Sequence, residues 1–197
     1  MKIYILRHED KTQDATFFSP LTSIGLGNAE KLVSKIEKLN IDVVYSSPYL
    51  RTLQTIAPFI KKTNKTIKLE YGLSEINHPD LIPKNSYQVR LPEYIAKTFN
   101  YEDNYKEIIP VEELSYPEDD DMVMKRIKKV LHNIISKYSN TEKSVLLVTH
   151  QCVCRNLLKI VEKNGVLKPS ERLLNKYPKG GLTLVFDDKY WVCKEIN

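Results

Sequence analysis

Two short apolar runs, each ending in a histidine, constrain this chain more than any other feature. Ile3-Tyr4-Ile5-Leu6 leads into Arg7-His8, and Val145-Leu146-Leu147-Val148 leads into Thr149-His150. A half-exposed strand alternates apolar and polar residues, whereas an unbroken run is what a strand covered on both faces needs. Such strands belong to α/β proteins, where helices supply the cover. The intervening sequence agrees. Ile24, Ala29, Leu32, Val33, Ile36 and Leu39 recur at three-to-four spacing, predicting a helix over 22–39 with Thr22 as its N-cap. Residues 42–45 read as a strand, and Ser47-Pro48 opens a helix to about 62 with proline in its first turn. A strand over 67–70 and a short helix over 93–99 follow. The next helix, over 119–138, starts on three aspartates that suit its positive end. A strand over 144–148 leads to a helix over 152–163 that stops before Gly165. Strands over 182–186 and 190–193, joined by a tight turn, close the chain. This alternation predicts an α/β sandwich with a mainly parallel sheet.

A chain of 197 residues suits one well-buried core, so residues 1–197 are expected to form one domain. The stretch from about 76 to 117 is irregular and long for a connection, which marks it as a functional insertion. No apolar run approaches the roughly 20 residues that cross a bilayer. The apolar segment before His8 is too short for a signal peptide, so the expected location is cytoplasmic, with no membrane partner. The net charge is +5, but lysines such as Lys61, Lys62, Lys65 and Lys68 lie among acids. That pattern reads as a solvated surface, not a nucleic-acid face. Three cysteines, an odd count, suit reduced thiols, and Cys152-x-Cys154 lacks the second ligand pair of a metal site.

Ligands of open α/β sheets bind beyond the carboxyl ends of the strands, where His8 and His150 both emerge. A third strand delivers Ser46-Ser47 and then a helix carrying Arg51 in its first turn. A helix N-terminus gathers anions, and an arginine there adds a bidentate donor. Alone, each histidine reads as a structural hydrogen-bonding residue and Arg51 as a surface ion pair. Two of only four histidines, in equivalent places after similar strands, read together with Arg7 and Arg51 as a site for a tetrahedral oxyanion.

Four segments resemble the histidine phosphatase superfamily, which includes the cofactor-dependent phosphoglycerate mutases. Leu6-Arg7-His8-Glu9 is similar to the family's Arg-His-Gly signature, with Glu9 in place of glycine. Pro20-Leu21-Thr22-Ser23-Ile24-Gly25 resembles its Pro-Leu-Thr-x-x-Gly segment, and Ser46 to Thr55 its Ser-Ser-Pro-x-x-Arg-x-x-Gln-Thr segment. Val148-Thr149-His150 resembles the second histidine motif, with Gln151 where glycine is frequent. The resemblance implies a three-layer α/β/α sandwich of the phosphoglycerate mutase type, with no cofactor and no metal. It implies that His8 attacks phosphorus while Arg7, Arg51 and His150, as guanidinium and imidazolium groups, hold the oxygens. It also implies that Glu75, in Tyr71-Gly72-Leu73-Ser74-Glu75, protonates the leaving group, whereas by itself Glu75 reads as a loop acid. Glu9 is the other candidate acid. Lys11, three residues past His8, is either a further phosphate donor or a surface lysine.

The insertion mixes Lys84, Arg90, Lys97 and Lys106 with Asp80, Glu93, Glu102, Asp103 and Glu107. Mixed charge suits hydrolysis better than the second phosphate site of a mutase. The expected substrate is a phosphorylated small molecule or phosphoprotein. The stretch over 71–75 and the insertion after it resemble the ubiquitin-associated and SH3-containing tyrosine phosphatases, which implies aryl phosphates or phosphotyrosine, beside sugar phosphates. Two other readings stand: a phosphoglycerate-type mutase, and an inactive phosphate-binding module in which Glu9 and Gln151 obstruct the site.

Overall fold

The computed structural model describes residues 1–14 and 16–196. Its elements are β1 (Lys2–Arg7), α1 (Ser23–Glu37), β2 (Val43–Ser46), α2 (Leu50–Thr63), β3 (Ile67–Leu69), α3 (Glu93–Ala96), α4 (Asp120–Tyr138), β4 (Ser144–Thr149), α5 (Gln151–Asn164), α6 (Glu171–Asn175), β5 (Leu182–Asp187) and β6 (Tyr190–Glu195). They build one mixed sheet in the order β3-β2-β4-β1-β5-β6. The first four strands run parallel, and β5 and β6 are antiparallel additions. With α1 packed on α2, and α4 on α5, the result is a three-layer α/β/α sandwich. No helix among the described residues is long and apolar enough to cross a membrane.

The two apolar runs are neighbours at the sheet's centre. Ile3 pairs with Val145 and Leu6 with Val148, so the chains leave the sheet in step. That register sets His8 and His150 level, and the His8 amide donates to the Thr149 carbonyl at 2.9 Å.

Helix ends follow local chemistry. Thr22 caps α1 by accepting from the Gly25 amide, and Asp119 caps α4 by accepting from Met122. Two expectations need correction. Ile24 is 70% exposed, and the buried stripe of α1 starts at Gly25. A Cβ at position 25 would lie 2.1 Å from the Asp10 carbonyl oxygen, so only glycine fits there, and Ile24 is turned outward one residue away. Pro48 is not in the first turn of α2, because Tyr49 is the N-cap. The Thr52 hydroxyl donates to the Ser47 carbonyl at 2.8 Å, and Ser47 Oγ accepts from the Tyr49 amide at 3.4 Å, which ties 47–49 into the turn ahead of the helix.

The insertion is tied to the core. Glu70 ends β3 as a fully buried carboxylate with four donors: the amides of Gly72, Ile108 and Ile109 and the Tyr105 hydroxyl, at 2.6–3.1 Å. Burial pushes its pKa up and those donors oppose the rise. Ile82, Leu91, Ile109, Val111 and Leu114 join the central core. Helix α6 has no counterpart in the sequence reading, since five residues are too few to show a period. It docks through Leu173, which is 1% exposed.

Candidate active site

His8 is the first residue after β1, and its ring is 3% exposed. Nδ1 lies 2.7 Å from the Glu9 carbonyl oxygen. A carbonyl only accepts, so Nδ1 carries the hydrogen and Nε2 keeps the lone pair. Burial first, then the Arg51 charge, pushes the His8 pKa down to about 3. The ring is therefore a neutral base with a defined tautomer across the physiological range.

His150 is fully buried as the N-cap of α5, with Nε2 2.8 Å from Ser47 Oγ. Its ring stands edge-on to His8, with centroids 5.3 Å apart. Burial, then Arg51 and His8, hold its pKa well below the usual value. His150 is thus neutral, contrary to the imidazolium expected from sequence, and the positive field belongs to the guanidinium groups.

Acid stability should report these two rings. Each is neutral when folded but takes a proton near pH 6.5 when unfolded, so its stabilisation is complete above that value. It is lost as pH falls from about 6.5 toward the folded pKa, at up to about 1.4 kcal/mol per pH unit and ring. Urea midpoints of the wild type and of His8→Asn, measured from pH 7.5 to 4.5, should converge on acidification. Parallel curves would show that His8 is not held neutral.

Arg7 and Arg51 are 8% and 2% exposed. Arg7 Nη1 donates to the Tyr177 carbonyl, and Arg51 Nη1 to that of Thr16 at 3.0 Å. The Arg51 guanidinium also stacks 4.5 Å over the Tyr49 ring. The Nε atoms of both arginines are buried with no partner among the described residues. An unpaired buried donor costs about 1–3 kcal/mol, a cost the fold accepts where it sets these two cations side by side.

A cavity of about 700 Å³ collects Arg7, His8, Lys11, Arg51 and Glu75 on its wall, and the His150 ring packs against that of His8 behind it without lining the wall. Glu75 Oε1 accepts from the Ile76 amide at 3.1 Å and from the Cys152 amide in the first turn of α5 at 3.3 Å. Oε2 has no hydrogen bond among the described residues. The Glu75 charge opposes the effect of burial on both Arg7 and Arg51.

Sequence reasoning missed the brace behind Glu75. Arg126 forms a bidentate pair with Glu118 at 2.9 and 3.1 Å, and donates to the carbonyls of Gly72 at 2.6 Å and Glu75 at 3.3 Å. Glu118 also accepts from the Asn77 amide at 3.0 Å, and Thr149 Oγ1 donates to the Leu73 carbonyl at 2.6 Å. A signal was present: Arg126 falls in phase with Val123, Val130 and Ile134, where a buried apolar residue is expected.

Lys11 lines the cavity, but its ammonium donates to the Thr12 and Asp14 carbonyls at 2.7 and 2.9 Å. Gln151, Arg155 and Lys179 also line it. Glu9 does not. Its carboxylate packs on Gly180, where a Cβ would lie 1.9 Å from Oε1, and a φ of +62° also suits glycine there. Cys154 is fully buried in the core, and Cys152 lies at the cavity wall with its thiol pushed up to about 12, first by burial.

The sequence profile of the histidine phosphatase superfamily (branch 1) matches residues 3–197. The chain belongs to that superfamily. Its fold is shared by the ecdysone phosphate phosphatase of Bombix mori in complex with tungstate (TM-score 0.73, 17% identity, covering 100% of this chain and 92% of that one). The alpha-ribazole phosphatase of Shigella flexneri gives a TM-score of 0.67 at 17% identity, covering 100% and 96%. The phosphoglycerate mutase of Bacillus anthracis gives 0.68 at 16% identity, covering 100% and 92%. At these identities the likeness to the three structures is one of fold. No curated protein sequence matches this chain.

Proposed function

We propose that the chain, acting as one domain over residues 1–197, hydrolyses phosphate monoesters through a phosphohistidine on His8. The observation that carries this reading is the tautomer. With Nδ1–H held by the Glu9 carbonyl and the pKa near 3, Nε2 is an unprotonated nucleophile on the cavity wall. Its lone pair attacks phosphorus as the ester P–O bond breaks, and Glu75 protonates the departing oxygen. Water then attacks the phosphohistidine and gives its proton to Glu75, releasing phosphate and restoring neutral His8. Arg7 and Arg51 supply the charge for the equatorial oxygens, anchored by the Tyr177 and Thr16 carbonyls. No metal or cofactor takes part. His150 packs edge-on against the nucleophile's ring and is held by Ser47, and Lys11 serves as a neighbouring cation.

Hydrolysis fits the walls better than mutase chemistry. Within the insertion, Arg90 is spent on Glu107 and Glu112, and Lys97 on Glu93. The insertion gives the cavity Ile76, His78, Asp80, Leu81 and Ile82, and no lysine or arginine. Glu9 folds away from the cavity, which removes the main ground for an inactive module. Two of the structures sharing the fold are named as phosphatases of organic phosphates. The substrate is a phosphorylated small molecule or phosphoprotein, met in the cytoplasm, with an aryl or sugar leaving group.

The test is phosphate release from an aryl phosphate in excess chelator, with quenched samples examined for phosphoprotein. Release together with an acid-labile, alkali-stable phosphoenzyme is expected. Release without any trapped phosphohistidine, or activity restored only by added metal, would overturn the mechanism.

A further inference from the structure

Beyond the atoms that grip the phosphate, the cavity has one cation whose terminal donors meet no protein acceptor among the described residues. Its wall carries Lys11, His78, Asp80, Asp120, Arg155 and Lys179 outside the Arg7–His8–Arg51–Glu75 set. Most are already engaged. Lys11 is held by two backbone carbonyls of its own loop, and Lys179 pairs with Asp10. Asp120 accepts from Lys159 at 2.8 Å and Asn156 at 3.3 Å, and Asp80 faces His78 at 3.6 Å. Arg155 differs. Its Nε donates to the Leu174 carbonyl at 2.8 Å, which anchors the side chain on α6. Its Nη1 and Nη2 have no partner among the described residues, and the residue is half-buried. A guanidinium anchored through Nε presents its two terminal amino groups as a fork, the geometry that grips two oxygens at once.

We propose that Arg155 is a second anion site in this cavity, which selects monoesters whose leaving group ends in a carboxylate. This rests on the phosphatase reading of His8 and names its substrate class. Position supports it. Gln151 and Arg155 both line the cavity, four residues apart on α5, so its wall runs about 6 Å along the helix from the N-terminal turn that follows His150. The same wall carries Ile76 and Ile82, both buried, and the exposed Leu81, which offer apolar surface to the body of the leaving group. Charge selects the anion. One guanidinium matches a single negative charge, and Asp80 and Asp120 on the same wall disfavour a dianionic second phosphate. A charged fork also discriminates well, because a carboxylate gains two charge-assisted hydrogen bonds there that a neutral leaving group cannot make.

The experiment compares three aryl phosphates: phenyl phosphate, its 4-carboxymethyl derivative and its 4-phosphonomethyl derivative. For the wild type, kcat/KM on the carboxymethyl ester should exceed that on phenyl phosphate by about tenfold or more. In Arg155→Met the ratio should fall to about one, and in Arg155→Lys, which keeps charge but loses the fork, to an intermediate value. Phosphoenzyme formed by each variant from phenyl phosphate verifies its fold. A ratio unmoved by Arg155→Met overturns the site, and a preference for the phosphonomethyl ester overturns the assignment to a carboxylate. Titration calorimetry with the matching non-hydrolysable arylphosphonates reads the same preference as affinity. If no ester turns over, a carboxylate preference of about tenfold that Arg155→Met abolishes still supports the site, and equal affinities reject it.

Discussion

Replacing His8 by alanine is expected to lower kcat/KM on an aryl phosphate by at least about 10⁴-fold and to remove the phosphoenzyme altogether. The size follows from what is lost. Arg7 and Arg51 still bind the phosphoryl group, but the neighbouring groups are poor substitutes: Lys11 is bound to carbonyls, the Cys152 thiol is held neutral by burial, and His78 stands on the insertion beside Asp80. Water would have to attack directly, without the covalent step that divides the barrier. Vanadate or phosphate should still bind the variant, since both guanidinium anchors lie on other residues. Steady-state rates, phosphoenzyme trapping and oxyanion binding together form the check. A folded His8→Ala protein that keeps wild-type turnover would remove the covalent mechanism. Since the His8 pKa is near 3, the acid limb of wild-type kcat/KM above about pH 5 should come from the substrate's own ionisation.

Glu75→Gln is expected to separate leaving groups. An alkoxide is a strong base and cannot depart without a proton, so alkyl phosphates should slow by about 10²–10⁴-fold. A nitrophenolate needs little protonation, and its release should fall by less than about tenfold in the first, phosphoenzyme-forming step. The amide is a conservative test because its oxygen can still accept from the Ile76 and Cys152 amides that hold the carboxylate. The slope of log kcat/KM against leaving-group pKa should steepen in the variant. Equal losses across the series would take Glu75 out of the acid role and leave it as a charge partner for Arg7 and Arg51.

Much of this site was legible before any coordinates. The equal apolar runs before His8 and His150 needed only the rule that strands buried on both faces lack alternation, and in-step pairing then set the two histidines level. Arg51 followed from a helix start just after a strand. Glu75 is different: its place came from resemblance, and only the fold shows an amide from α5 reaching back to its carboxylate from 77 positions away. Glu9 is the clearest gain. In sequence it looks like an obstruction beside the nucleophile. In the fold its side chain packs on Gly180, contributed by the loop before β5, more than 170 residues later.

The sequence by itself determined the longer elements, most of their buried faces and the sheet edge at which the histidines emerge. These are encoded in local periodicity, which reports on which side of a strand or helix water is excluded. Only the tertiary structure decided which atoms are satisfied. It made the His8 tautomer definite through one carbonyl, left the Nε atoms of Arg7 and Arg51 unpaired, and braced Glu75 with Arg126 and Glu118. It also anchored Arg155 on Leu174 with its fork free. Hydrogen-bond satisfaction depends on which distant segment arrives at bonding distance, and no repeat of three or four residues carries that information. The phosphate grip can therefore be anticipated from a few residues after two strands. What the rest of the cavity selects belongs to the packing of α5, α6 and the insertion around it.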